Sequence, residues 1–182
     1  VLLNAASEQR AQLASLDTTR AVRWVEPGGL HLTLKFLGEV DAERLEAIRR
    51  AIATAAVHPA PRLGLAGCGA FPNAARPRVI WLGLAGDLER LGEIQQHVEA
   101  ALEPLGWSPE SRPFAAHVTV GRCRDAARLA PALLRPLQKG NAAARSQPEV
   151  QTRLALMQSH LERSGARYEE MAVWRLGSPS PA

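Results

Sequence analysis

Cysteine is almost missing from this 182-residue chain. Cys68 and Cys123 stand far apart with no Cys-x-x-Cys spacing, which excludes a disulfide framework and a thiolate zinc site. Both read as buried thiols in a reducing compartment. No apolar run approaches the roughly 18 residues that a membrane-spanning helix needs, and no low-complexity block or long linker divides the chain. Lysine is scarce as well: of 22 basic residues, all but Lys35 and Lys139 are arginine. Arginine presents a planar fork of donors that matches phosphate oxygens, so a net charge of +4 carried this way favours an anionic or phosphorylated ligand. An Arg- and Ala-rich composition also follows from codon bias. What remains, 46% hydrophobic and 22% charged, is an ordinary globular balance.

Periodicity outlines the elements. Val1 to Leu3 reads as a strand remnant, followed by a helix from about Ala5 to Leu16. A short extended run, Val22 to Val25, precedes a turn at Pro27-Gly28-Gly29. Leu30 to Leu37 alternates strictly, with Leu30, Leu32, Leu34 and Phe36 on one face and His31, Thr33 and Lys35 on the other. Asp41 and Asp87 are placed to cap helices carrying Leu45, Ile48 and Ile52, and Leu91, Ile94, Val98 and Leu102; Gly106 stops the second. Strands are expected near Arg62 to Leu65 and Arg78 to Leu84. Ala116 to Val120 alternates again. A Pro-interrupted helix with Leu129, Leu133 and Leu137, a polar loop from about Lys139 to Pro148, and two strands near Val150 to Met157 and Tyr168 to Leu176 close the chain. These last two are joined through Ser164-Gly165-Ala166. Mostly local strand pairing argues α+β over a doubly wound parallel sheet.

Two copies of His-x-Thr-x, at His31-Leu32-Thr33-Leu34 and His117-Val118-Thr119-Val120, are the informative feature. Roughly one chain of this composition in a hundred would carry two copies by chance. Residues i and i+2 of a strand project from one face about 6.6 Å apart, so each motif offers an imidazole beside a hydroxyl. Two such strands facing across a groove bring a neutral base and a protonated acid to one ligand. In-line displacement at phosphorus needs that pair. The threonine hydroxyls would hydrogen-bond the non-bridging oxygens, and Arg122, three residues beyond Thr119, would neutralise remaining charge. A metal is not expected: neither motif has His-x-His spacing, and no carboxylate accompanies either histidine in its strand. His58, His97 and His160 lack partners in sequence and read as structural or exposed.

The paired motifs resemble the 2H phosphoesterase superfamily. The surrounding words bring the chain closer to the bacterial and archaeal RNA 2′,3′-cyclic phosphodiesterases, also called 2′-5′ RNA ligases. Those words are Arg23-Trp24-Val25, Leu30 to Val40, Gly69-Ala70-Phe71-Pro72, Arg76 to Gly83, Arg112-Pro113-Phe114 and Gly165 to Glu169. The resemblance runs from about Leu3 to Leu176, although family members usually have a longer first strand ahead of the position of Val1. It implies a bilobal, pseudo-twofold α+β fold, with antiparallel sheets lining a central cleft, helices outside, and one motif from each of two intertwined lobes. A single domain spanning residues 1–182 is expected, monomeric and cytoplasmic. By resemblance, His31 is the acid that protonates the departing ribose O3′ and His117 the base that activates water. Thr33, Thr119 and Arg122 bind phosphate oxygens. No cofactor or metal is implied. The implied substrate is RNA ending in a 2′,3′-cyclic phosphate, or a cyclic nucleotide, opened to a 2′-phosphate, with 2′-5′ ligation as the reverse reaction. Phe71 and Phe114, aromatics in loops near the motifs, are candidates for nucleobase stacking or for core positions.

Two other readings fit the same residues. One is a module that holds phosphorylated RNA ends without processing them. The other is a cyclic phosphodiesterase acting on a small substrate such as ADP-ribose cyclic phosphate or a 2′,3′-cyclic nucleotide.

Overall fold

The computed structural model describes residues 2–124, 128–139, 145–162 and 165–177. Val1, the middle of the polar loop expected after Lys139 and Ser164 of the closing turn lie outside these residues. The order is α1 (Leu2–Ser15), β1 (Val22–Trp24), α2 (Leu45–Ala55), β2 (Arg62–Phe71), β3 (Val79–Gly86), α3 (Leu88–Leu102), β4 (His117–Cys123), α4 (Pro131–Lys139), β5 (Glu149–Val150), β6 (Arg153–Glu162) and β7 (Gly165–Arg175). The architecture is α+β, and every strand pairing is antiparallel.

One sheet has the order β1-β4-β3-β2-β5 and the other is the β6-β7 hairpin. In the larger sheet the alternation sends Leu63, Leu65 and Cys68 of β2, Ile80 and Leu82 of β3 and Val118 and Val120 of β4 to one face. There α1, through Leu2, Ala6 and Leu13, and α4, through Leu133 and Leu137, seal them from water. Each such aliphatic side chain contributes about 1.5–3 kcal/mol by burial. A second core joins Ile48 and Ile52 of α2, Ile94, Val98 and Leu102 of α3, and Leu154 and Leu156 of β6. Leu34 packs against both cores. Among the described residues no helix is long and apolar enough to cross a membrane.

Four local expectations are corrected. Leu2 and Leu3 belong to α1 rather than a strand. Leu30 to Leu37 forms no regular strand: its one ladder contact is an antiparallel bridge from Leu32 to Val118. Beyond Thr33 the chain bends away, Lys35 turns inward, and Phe36 is left 73% exposed instead of joining Leu30 in the core. Neither Asp41 nor Asp87 caps its helix through the side chain; the Asp87 carboxylate instead accepts the Arg62 backbone N–H at 3.0 Å. Gly106 does end the α3 region, in the left-handed conformation (φ 95°) that a glycine adopts without a Cβ penalty.

Candidate active site

The bridge between Leu32 and Val118 organises the site. An antiparallel bridge carries a local twofold axis, which here relates His31 to His117 and Thr33 to Thr119. It also sets His31 directly opposite Thr119 and Thr33 opposite His117. Val118 points into the first core and Leu32 packs against it. The alternation therefore turns all four polar side chains to the other face, as a square with imidazoles on one diagonal and hydroxyls on the other. In such a pairing directly opposed Cβ atoms lie about 4.5–5.5 Å apart and diagonal ones about 7–8 Å. The two motifs are thus neighbours in one ladder, not strands facing across a groove.

Each imidazole is fixed by the same device. His31 Nδ1 lies 2.8 Å from the Gly29 carbonyl oxygen and His117 Nδ1 lies 2.7 Å from that of Ala115. A carbonyl only accepts, so both Nδ1 atoms carry hydrogen and both Nε2 atoms are left for chemistry. An aromatic edge steadies each ring. Tyr168 of β7 meets His31 at 4.5 Å between centroids and 65°, and Phe71 of β2 meets His117 at 5.1 Å and 85°. Phe71 reaches that far because it leans on Trp81 at 5.3 Å. The Trp81 indole occupies the space where Gly69 would carry a Cβ and lies close above Gly83. Among the described residues neither threonine hydroxyl has a protein partner, and neither does the Arg122 guanidinium.

Arg122 shares this face for a reason that simple alternation misses. Three residues on from Thr119, regular pleating would send it to the core side. The ladder with β3 slips at Val120, so that Thr119 pairs with Trp81 and Arg122 with Val79. Trp81 and Val79 lie on one face of β3, and the extra residue brings Arg122 back to the side of the histidines.

The segment after the first motif is braced by charge. Lys35 donates to Glu99 of α3 at 2.6 Å and to the Ser108 carbonyl at 2.7 Å, while Gln95 donates to the other Glu99 oxygen at 2.9 Å. The Lys35 and Glu99 side chains are 5% and 8% exposed. Phe114 stands away from both imidazoles among the described contacts: it packs against the first core and lines a cavity of about 690 Å³ along α3 with Gln95, Glu99 and Arg112. His58 and His97 lie ring to ring at 3.9 Å, and His160 sits 3.3 Å from Glu169. Burial, and secondarily the Asp17 carboxylate, pushes the Cys123 thiol up, which disfavours a thiolate nucleophile there. Among the described residues no three His, Cys, Asp or Glu side chains converge as metal ligands. No motif in the sequence assigns a role to Tyr168 or Trp81. Tyr168 is the sole tyrosine, and Trp81 precedes Gly83 at i+2, yet neither signal names its partner.

The family model for LigT-like phosphoesterases matches the chain twice, over residues 3–81 and 82–168, with one motif in each match. An RNA 2′,3′-cyclic phosphodiesterase of Aeropyrum pernix is 36% identical over 157 residues, covering 82% of this chain and 84% of the relative. One of the same name from Archaeoglobus fulgidus is 35% identical over 164 residues, covering 89% and 88%. Among solved structures, a Thermus thermophilus protein superposes with a TM-score of 0.70 at 28% identity, covering 93% of this chain and 92% of that one. Escherichia coli LigT complexed with 3′-AMP superposes with a TM-score of 0.68 at 25% identity, covering 94% and 93%.

Proposed function

The chain belongs to the LigT-like phosphoesterase family, and from that premise we propose that it hydrolyses the 2′,3′-cyclic phosphate ends of RNA to 2′-phosphates with His31 and His117 as acid and base. The observation that supports this reading is the Leu32–Val118 bridge between the two motifs, together with Nδ1 contacts that leave both Nε2 atoms available for proton transfer. Relatives named RNA 2′,3′-cyclic phosphodiesterase supply the substrate class.

Neutral His117 Nε2 takes a proton from water as its oxygen attacks phosphorus. The P–O3′ bond breaks on the far side, and protonated His31 Nε2 gives its proton to O3′. The products are a 2′-phosphomonoester and a free 3′-hydroxyl, with the two histidines left in exchanged protonation states until solvent restores them. Each role is worth roughly 100- to 10,000-fold. Thr33 and Thr119, on the other diagonal, donate to the non-bridging oxygens as their charge grows, and Arg122 offsets the remaining charge. With a ribose 5′-hydroxyl attacking phosphorus in place of water, the P–O5′ bond forms as the P–O3′ bond breaks, and the same groups join ends through a 2′-5′ linkage with a free 3′-hydroxyl. The acting unit is the whole chain, residues 1–182, as one domain whose halves each supply a motif, and it needs no metal.

The test is direct. An oligonucleotide ending in a 2′,3′-cyclic phosphate is incubated with the protein in EDTA, and the product is resolved for phosphate position. Turnover to the 2′-phosphate with a bell-shaped pH dependence of kcat/KM is expected. Binding without turnover would leave an end-binding module, and loss of turnover on chelation would bring a metal into the mechanism.

A further inference from the structure

The face that carries the motifs continues beyond them. Across the sheet, Arg122 of β4 is flanked by Val79 of β3 on one side and directly opposed by Arg23 of β1 on the other. Val22, Trp24 and Cys123 pack against the first core, so Arg23 and Arg122 share the opposite, solvent-facing side. Arg124 follows two residues later with its backbone N–H still bonded to the Ala21 carbonyl at 2.9 Å, and the alternation gives it the same side. All three are exposed, and among the described residues none of the three guanidiniums has a carboxylate or carbonyl partner. Like charges directly opposed on adjacent strands work against the sheet. A locally unfavourable arrangement that leads straight out of a catalytic face calls for an anion between its members.

We propose that Arg23 and Arg124 form a second phosphate subsite beside Arg122, which takes the phosphodiester on the 5′ side of the terminal nucleotide and so makes the protein prefer an RNA strand to a cyclic mononucleotide. The proposal rests on the reading of the motif face as a cyclic phosphodiesterase site. Geometry fits the ligand: Arg23, paired with Arg122, lies two residues of β3 along the ladder from Thr119, about 6.6 Å, which is one nucleotide step of an extended strand from the reacting phosphorus. Arg23 stands about 5 Å across from Arg122, so its fork can hold the neighbouring phosphate while Arg122 reaches back to the reacting one. No base is read by these contacts, which makes the subsite indifferent to sequence.

The test compares kcat/KM on a cyclic-phosphate-ended pentanucleotide, a 2′,3′-cyclic mononucleotide, and the same mononucleotide carrying a 5′-phosphate, for the wild type, Arg23→Gln and Arg124→Gln. Arg23→Gln is expected to lower the pentanucleotide value about tenfold, to abolish the advantage given by the 5′-phosphate, and to change the plain mononucleotide less than about twofold. The salt slope for the pentanucleotide should fall by about 0.7 for the lost phosphate contact. A pentanucleotide-to-mononucleotide ratio unchanged in both variants would overturn the subsite. Binding of a labelled 3′-phosphorylated pentanucleotide, followed by anisotropy, reads the subsite without turnover. A wild type that turns over none of the substrates defeats the phosphodiesterase reading, and an affinity unaltered by Arg23→Gln defeats the subsite.

Discussion

The same tetrapeptide pattern is held in two different ways. Around His117 the backbone does the holding: Trp81, Leu82 and Gly83 of β3 pair along one edge of β4, and Leu32 bridges its other edge. Around His31 one bridge is all the ladder offers, and side chains take over. Lys35 is anchored to Glu99 and Ser108, Leu34 is wedged between the two cores, and Tyr168 reaches across from β7. Under the local twofold, Lys35 corresponds to Gly121, which carries no side chain to brace anything. The two halves of the site are therefore equivalent in the groups they present and unequal in what would loosen them.

Chemistry should ignore that inequality, which makes the histidines the sharpest comparison. His31→Ala and His117→Ala are each expected to lose about 100- to 10,000-fold in kcat, and the double variant little more than the worse single one, because the two act as a unit. Each single variant should also lose one limb of the bell-shaped pH profile. Single-turnover kinetics on a cyclic-phosphate-ended oligonucleotide reads both effects. If one variant kept turnover within tenfold of the wild type, the square would be only half engaged.

Support, by contrast, should break unevenly. Lys35→Met strands the Glu99 carboxylate in the interior, and removing one partner of a buried pair costs about 3–5 kcal/mol. Urea unfolding should show it as a lower midpoint, with kcat falling alongside. Adding Glu99→Leu removes the stranded charge, and most of the stability is expected to return, since apolar replacement of a buried pair is commonly neutral or better. If kcat stays low while stability recovers, Lys35 positions the first motif; if both recover, it only holds the fold.

The sequence displayed what is local and hid what is not. Alternation in Ala116 to Val120 was readable because neighbours on both sides of β4 satisfy its backbone. The equally regular Leu30 to Leu37 misled, since a strand needs partners and beyond Leu32 this segment has none in the ladder. Position three beyond Thr119 does not by itself put Arg122 on the motif face; a one-residue slip at Val120, invisible in the pattern, does. Tyr168 and Phe71 come from distant strands, so nothing near either histidine announced them. The bed under Phe71 depends on Gly69 and Gly83 leaving space for Trp81, a relation between three strand positions that composition does not encode.

Those aromatic edges provide the mildest and most discriminating comparison. An aromatic pair of this geometry is worth about 0.5–1.5 kcal/mol beyond its burial, so Phe71→Leu and Tyr168→Leu should each lower kcat about two- to tenfold through freer imidazole motion. The two losses need not match. His117 retains a paired strand beneath it, while His31 depends on Tyr168 for a larger share of its restraint, and Tyr168 also covers Gly29, whose carbonyl fixes the His31 tautomer. Tyr168→Leu should therefore be the costlier of the two. Tyr168→Phe keeps the ring and loses only the hydroxyl, and wild-type kcat in that variant assigns the effect to the ring edge. A fall as large as that of Tyr168→Leu would instead make the hydroxyl a ligand-binding group, and the resemblance between the Tyr168 and Phe71 contacts would be one of shape alone.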